Sequence, residues 1–225
     1  KQVTEAFVGK PLGIRRINLL LDRLNRQLVE SGYITSRAYI GSQNLGSGVL
    51  SITIVPGHIE AIRYNGEPLP RAGWNRPGLR LVLPMREGDL LRLPDIEQAV
   101  DQLNRLRRNR VQVQLKPGNS AGGTLIDFVN PPDKAAQYSV TADNQGSPST
   151  GKLRIQVGAE TGDLLGLMES FSVGLTSSLE TNAVYAAASL PIGYSTLSMM
   201  TSWSEYQNLI DDTALVYGTS ESVTA

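Results

Sequence analysis

Cysteine is absent from the 225 residues, which excludes disulfides, thiolate metal sites and cysteine nucleophiles. Histidine occurs once, at His58, so histidine-rich metal centres and mechanisms needing two imidazoles are excluded too. Net charge is also lacking. Lys and Arg number 21 against 21 Asp and Glu, and no overall field favours a nucleic-acid partner. One uncharged stretch, 181–204, is long enough to span a bilayer as a helix, but it carries Pro191, Gly193 and eight Ser or Thr. We read it as a hairpin turned near Pro191-Ile192-Gly193, with Ser195–Trp203 as one strand, and expect no transmembrane helix.

What is present is 40% hydrophobic and 19% charged, the composition of a folded chain. The length suits one large domain or two to three small ones. The neutral total hides a split. Residues 1–133 hold 18 basic and 12 acidic side chains, net +6; residues 134–225 hold 3 and 9, net −6, and are rich in Ser, Thr, Gly and Ala. The change falls near Asn130-Pro131-Pro132-Asp133 and marks a domain boundary.

The basic part contains a degenerate repeat. Its first copy runs Asp22-Arg23-Leu24-Asn25, Tyr33–Ile40, a Gly/Ser turn, then Val49–Val55. The second runs Asp101-Gln102-Leu103-Asn104, Val111–Leu115, a Gly-rich turn, then Thr124–Val129. Ile14, Ile17, Leu20, Leu21, Leu24 and Leu28 recur at helical spacing ahead of Gly32, and Ile96, Val100 and Leu103 make the matching stripe after Pro94. With Ile59–Tyr64 as a first strand and Trp74–Leu83 as a short helix, the second copy reads β-α-α-β-β. The first copy enters that pattern part-way and shows no first strand. The expected domains are an N-terminally incomplete module over 1–56, a second module over 57–133 and a β region over 134–225.

From Gln137 the period becomes two. Leu153–Glu160 alternates without error, Phe171, Val173 and Leu175 alternate with Ser172, Gly174 and Thr176, and Leu197, Met199, Thr201 and Trp203 continue the pattern. Strands this long, with one apolar and one small polar face, suit an outer-membrane β-barrel. A soluble β-sandwich alternates as well, and would carry Lys or Glu rather than Ser, Thr and Gly opposite its core.

No catalytic group survives inspection. Gly118–Gly123 joins two strands and lacks the Lys-Ser/Thr of a phosphate loop, and Gly193-Tyr194-Ser195-Thr196-Leu197 lacks the second glycine of a nucleophile elbow. His58 reads as a joint residue between modules, and Asp211-Asp212 as solvated turn carboxylates. No metal or cofactor site is expected. Arg105, Arg107, Arg108 and Arg110 could bind an anion but have no aromatic platform beside them, so a solvated helix end is the plainer reading. Asp143-Asn144-Gln145-Gly146 suits a tight hairpin between the first two β-region strands.

Several of these features together resemble the TpsB transporters of two-partner secretion. They are Leu93-Pro94-Asp95-Ile96-Glu97-Gln98-Ala99-Val100 through Asn104-Arg105, the Pro117-Gly118 and Gly122-Gly123 turn, Asp143-Asn144-x-Gly146 with Thr150-Gly151, and Leu28-Val29-Glu30-x-Gly32-Tyr33-Ile34-Thr35 with Ala38-Tyr39. That family exports filamentous haemagglutinins, haemolysins and contact-dependent inhibition toxins. The resemblance implies tandem POTRA modules in the periplasm, an α+β class, followed by the opening strands of a transmembrane β-barrel in the bacterial outer membrane. It implies a non-enzyme, without cofactor, whose partners are a large secreted β-helical protein and outer-membrane lipid, not nucleic acid. Export would need no nucleotide hydrolysis. It also marks the chain as a fragment: no signal peptide, plug helix or late-barrel Arg-Gly motif, and about the first third of a barrel.

For POTRA modules, recognition is expected at an open sheet edge. The expected edge is Arg110, Val111, Gln112, Val113, Gln114 and Leu115, with Gln112 and Gln114 on one face and the apolar residues packed inward. Arg105, Arg107 and Arg108 are the second candidate for partner binding. An outer-membrane-protein assembly factor shares the architecture; two modules and the Asp-Asn-x-Gly hairpin favour export. A soluble β-rich adhesin is the rival of another class, and Tyr185, Tyr194, Trp203 and Tyr206 are dispersed for a sugar site.

Overall fold

A computed structural model describes residues 5, 7–10, 13–69, 77–131, 136–146, 151–178, 180–210 and 214–224. Its contacts divide the chain into two compact units, one of residues 1–69, 85–100 and 112–130, the other of 70–84, 101–111 and 131–225.

The first unit opens with helix α1, Ile14–Glu30, closed by Gly32 in the left-handed region at φ +87°. The Tyr33 N–H reaches back to the Leu28 carbonyl and the Gly32 N–H to that of Val29, so a glycine stop satisfies the last carbonyls. Leu20 is buried, but Ile14, expected on the same stripe, is 80% exposed. The antiparallel strands β1 (Arg37–Tyr39) and β2 (Thr53–Val55) are three residues each, so they cover only part of a seventeen-residue helix. They are much shorter than the expected Tyr33–Ile40 and Val49–Val55. A short 3-10 turn at Leu45–Ser47, capped by the Asn44 side chain, and Gly48 at φ +73° take up the intervening chain.

The remaining strands of this unit are β3 (His58–Tyr64), β4 (Glu67–Pro68), β5 (Gln112–Pro117) and β6 (Gly123–Val129), in sheet order β4-β3-β6-β5. β3 and β6 run parallel and the other pairs antiparallel. Ile59, Ile62, Ile126 and Phe128 form the buried face of the two central strands. The turn at Asn65-Gly66, both at positive φ, makes a tight hairpin into β4 that we did not anticipate, although Asn-Gly is its sequence signal.

The second unit contains helix α2 (Pro77–Val82) and the end of helix α3 (Leu93–Asn104). Of the expected short helix, Trp74 lies outside the described residues. Six strands follow: β7 (Ala136–Asp143), β8 (Arg154–Gly162), β9 (Ser170–Ser178), β10 (Thr181–Ile192), β11 (Ser195–Ile210) and β12 (Ala214–Thr224). Each pairs antiparallel with the next, an up-and-down meander. The uncharged 181–204 stretch is two strands joined at residues 193–194. Among the described residues no helix is long and apolar enough to cross a membrane.

Register separates the two faces of this sheet. Val140, Val157, Leu175, Val184 and Trp203 stand in one cross-strand row, all substantially exposed, and the row ends on β12 at Glu221. The row on the opposite face reads Ser139, Gly158, Gly174, Tyr185, Ser202 and Ser222. An exposed apolar band backed by small polar residues is the inside-out pattern of a barrel wall, not a sandwich half that buries its apolar face.

Candidate functional site

The expected edge segment forms β5, at the end of its sheet, beginning at Gln112 rather than Arg110. Its hydrogen-bond parity can be followed from its ends. The Gly118 N–H bonds the Gly123 carbonyl, while Phe128 and Gly122 carbonyls accept from Asn65 and His58 on the β3 side. Residues 123, 125, 127 and 129 therefore face β5, and with the observed register they bond Lys116, Gln114 and Gln112. The backbone N–H and C=O groups of Val113 and Leu115 point away from β6. Pro117, which has no N–H to offer, shares that parity.

Side chains alternate the other way. Val113 and Leu115 lie opposite buried Phe128 and Ile126, on the core face; Gln112, Gln114 and Lys116 share the other face. Leu115 remains 39% exposed, since an edge strand has a neighbour on one side only. Val111 precedes the strand, and its backbone is taken. Its N–H donates to Asn104 Oδ1 at 2.6 Å and its carbonyl accepts from Asn104 Nδ2 at 3.1 Å. Asn25 brackets Ala38 in the same way at 2.8 and 3.2 Å. These are equivalent asparagines of the two repeat copies, each closing one strand position with a side-chain amide.

At the base of β5, Glu60 clamps the hairpin loop. Its carboxylate accepts the Asn119 N–H at 3.0 Å, the Ser120 N–H at 2.9 Å and the Ser120 hydroxyl at 2.6 Å. The Ser120 bonds and then that of Asn119 hold its pKa down at about 2. His58 Nε2 lies 3.2 Å from Ser120 Oγ. The serine hydroxyl is spent on a carboxylate, so the cluster braces a turn and does not activate a nucleophile.

Arg105 and Arg108 are docked rather than solvated, whereas Arg107 and Arg110 remain exposed. Arg105 donates to Ser170 Oγ at 3.1 Å, to Ser189 Oγ and to the Met168 carbonyl at 2.6 Å. Burial lowers its pKa, with Glu160 and Glu169 opposing that shift. Arg108 pairs with Asp163 at 3.0 Å, and Arg107 with Glu160 at 3.2 Å in a far more open position. Gln102 donates to the Gly193 and Ser195 carbonyls and to Thr196 Oγ1. Helix α2 joins the same turns through its backbone, Gly78 N–H to Gly166 O at 2.8 Å and Gly193 N–H to Leu81 O at 2.6 Å. The motif reading found the arginines by their clustering; their acceptors lie more than fifty residues away and carried no local signal.

Asp143 ends β7 and β8 begins only at Arg154, so the connection that Asp143, Asn144 and Gly146 open runs from 144 to 153, with 147–150 outside the described residues. Asp143 accepts the Gln145 N–H at 2.9 Å and both Arg154 Nε and Nη2, and Gly146 closes onto the Lys152 carbonyl. Thr150 and Asp211-Asp212 lie outside the described residues. Among the described residues no group of three or more His, Asp or Glu is placed to hold a metal.

An α/β sheet module with a free edge, a second copy of its helix-strand unit and an inside-out β meander define a POTRA protein joined to part of an outer-membrane barrel. Comparison with known proteins carries this further. Residues 1–57 match the ShlB-type POTRA domain, 58–117 the POTRA domain, and 122–225 the haemolysin secretion/activation protein family ShlB/FhaC/HecB. The outer membrane transporter CdiB of Escherichia coli is 34% identical over 212 residues, 92% of this chain and 35% of that protein. The hemolysin transporter protein ShlB of Serratia marcescens is 33% identical over 198 residues, 85% of this chain and 34% of that protein. The solved structure of CdiB from Escherichia coli superposes with a TM-score of 0.86 at 32% identity, over 98% of this chain and 41% of that one.

The chain belongs to the TpsB-type family of outer-membrane two-partner secretion transporters, and spans about a third of the length of these relatives. Its POTRA region is periplasmic and its meander belongs to the outer membrane. The relatives are transporters, not enzymes.

Proposed function

We propose that this chain recognises a large secreted β-helical partner in the periplasm and takes part in exporting it through a barrel, without nucleotide hydrolysis. Residues 1–56 and 57–133 act as the recognition modules, and 134–225 as wall strands whose apolar face meets lipid. The observation that carries the reading is β5. The outward groups of Val113 and Leu115 offer main-chain pairing to an extended segment, and the partly exposed Leu115 side chain offers one apolar contact beside it. Asn104 stops that pairing at Val111 and so sets where an added strand starts. Folding of the partner outside the cell supplies the driving force.

The test uses a secretion-competent transporter carrying residues 1–225 and the N-terminal secretion domain of the exoprotein encoded beside it. Val113→Pro removes one outward N–H and leaves the ladder to β6 in place. Binding should weaken at least tenfold with hydrogen exchange in β6 unchanged. Gln114→Ala, which removes only a side chain on the solvent face, should bind normally. Full-strength binding by an intact Val113→Pro protein would end the edge reading.

A further inference from the structure

Arg105 sits in a place where arginine is a poor choice for stability alone. Its guanidinium is partly desolvated, its Nε is buried without a hydrogen-bond partner, and the partners of its other nitrogens are two serines and a carbonyl rather than a carboxylate. Apolar side chains of similar volume often replace such buried charges without loss. What they lack is direction, since a planar fork bonds only acceptors set in its plane.

The acceptors are themselves held in place. Ser170 and Ser189 are cross-strand neighbours of β9 and β10, with their hydroxyls 2.7 Å apart. Met168 is buried at φ +57°, in a turn whose shape is imposed by the buried Glu169 carboxylate accepting the Leu165 and Leu167 N–H groups at 2.7 and 3.0 Å. The turn thus presents the Met168 carbonyl along a fixed line, and Arg105 reads two strands and one turn at once.

We propose that Arg105 is a positioning residue for export: it fastens the C-terminal end of α3 to the 163–169 turn, to the start of β9 and to the last residues of β10. The end of α3 then keeps one orientation against these strands, and export depends on that orientation. This rests on the export reading above. Gln102 and Arg108 flank it on the neighbouring turn and on Asp163, and keep the helix end close when Arg105 is removed, so the expected defect is loss of orientation rather than loss of folding.

Residues 1–225 hold no cysteine, so two introduced thiols report alone once any cysteine elsewhere in the transporter is replaced. Nitroxides at Asp101→Cys and at the exposed turn residue Leu164→Cys report the distance between helix end and turn, in the same secretion-competent transporter in lipid. The distribution should be narrow with Arg105, broad with Arg105→Ala and intermediate with Arg105→Lys. Export at saturating partner should fall at least tenfold in Arg105→Ala, while affinity for the secretion domain stays within twofold and the barrel keeps its heat-modifiable migration. Should Arg105→Ala fail to fold, Ser189→Ala removes one acceptor and should give a smaller change in both readouts. An unchanged distribution, or a broad one with full export, overturns the proposal. Failure of the unsubstituted protein to bind the secretion domain would strike the export reading instead, and the distance measurement would still decide whether Arg105 orients the helix end.

Discussion

Glu60 and Gly78 show how single residues set local geometry here. The Glu60 carboxylate caps two N–H groups and a hydroxyl, and its pKa is lowered from 4.5 to about 2. Its contribution is therefore complete above about pH 4.5 and is lost as pH falls through about 2. In urea titrations between pH 7 and 2, the wild type should lose stability across that window more steeply than Glu60→Gln. Equal slopes would show that the clamp contributes nothing. Gly78 is needed for a different reason. A Cβ there would fall onto the backbone of Leu167 and Met168, where α2 bonds the turn. Gly→Ala within a helix ordinarily stabilises; here the sign should invert, with Gly78→Ala costing about 1–3 kcal/mol. A urea midpoint in detergent, compared with Gly41→Ala, where a Cβ meets nothing within 4 Å and φ is not positive, measures it.

Among elements, the asparagine brackets explain a repeat that is otherwise hard to justify. Asp-x-Leu-Asn recurs because its last residue, inside α1 in one copy and at the end of α3 in the other, lends its amide to the chain at the strand that follows, Asn25 to Ala38 and Asn104 to Val111. Asn104→Ala leaves a donor and an acceptor without partners and should cost about 1–3 kcal/mol. Asn104→Asp keeps the acceptor and loses the donor, so its midpoint should fall between the two. If all three unfold together, the bracket carries no weight. The repeat was visible in the sequence through the order of its elements, with little identity beyond Asp-x-Leu-Asn. Its purpose was not, because Asn104 and Val111 meet only when the chain between them turns back.

For the whole molecule, the decisive contrast is between the faces of the meander. Val157 and Val173 stand within the apolar band, and arginine at either should cost about 2–4 kcal/mol in a lipid-embedded barrel. Arginine at Gln156 or Ser172, on the small polar face, should be mild. Ile155 shares its row with Ser177, Asn182 and Glu205, so it stands at the edge of the band and its Arg substitution should fall between the two. Folding titrations into bilayers give the comparison; equal penalties on both faces would contradict a wall with lipid on one side.

Patterning by itself determined most of the architecture. Period-two alternation with Ser, Thr and Gly opposite the apolar positions specifies a barrel wall, because cross-strand register preserves parity from β7 to β12. Pro191 and Gly193 turned an apolar stretch into a hairpin, since helix propensity is a local property. Gly32 and Asp143 likewise act on bonds a few residues away. Only the tertiary structure decided which backbone groups of β5 are free, because that parity depends on its partner strand and not on its own residues. It decided the fate of Arg105 as well. A cluster of arginines looks the same in sequence whether solvated or docked, and the serines and carbonyl that hold Arg105 come together only when distant strands pair.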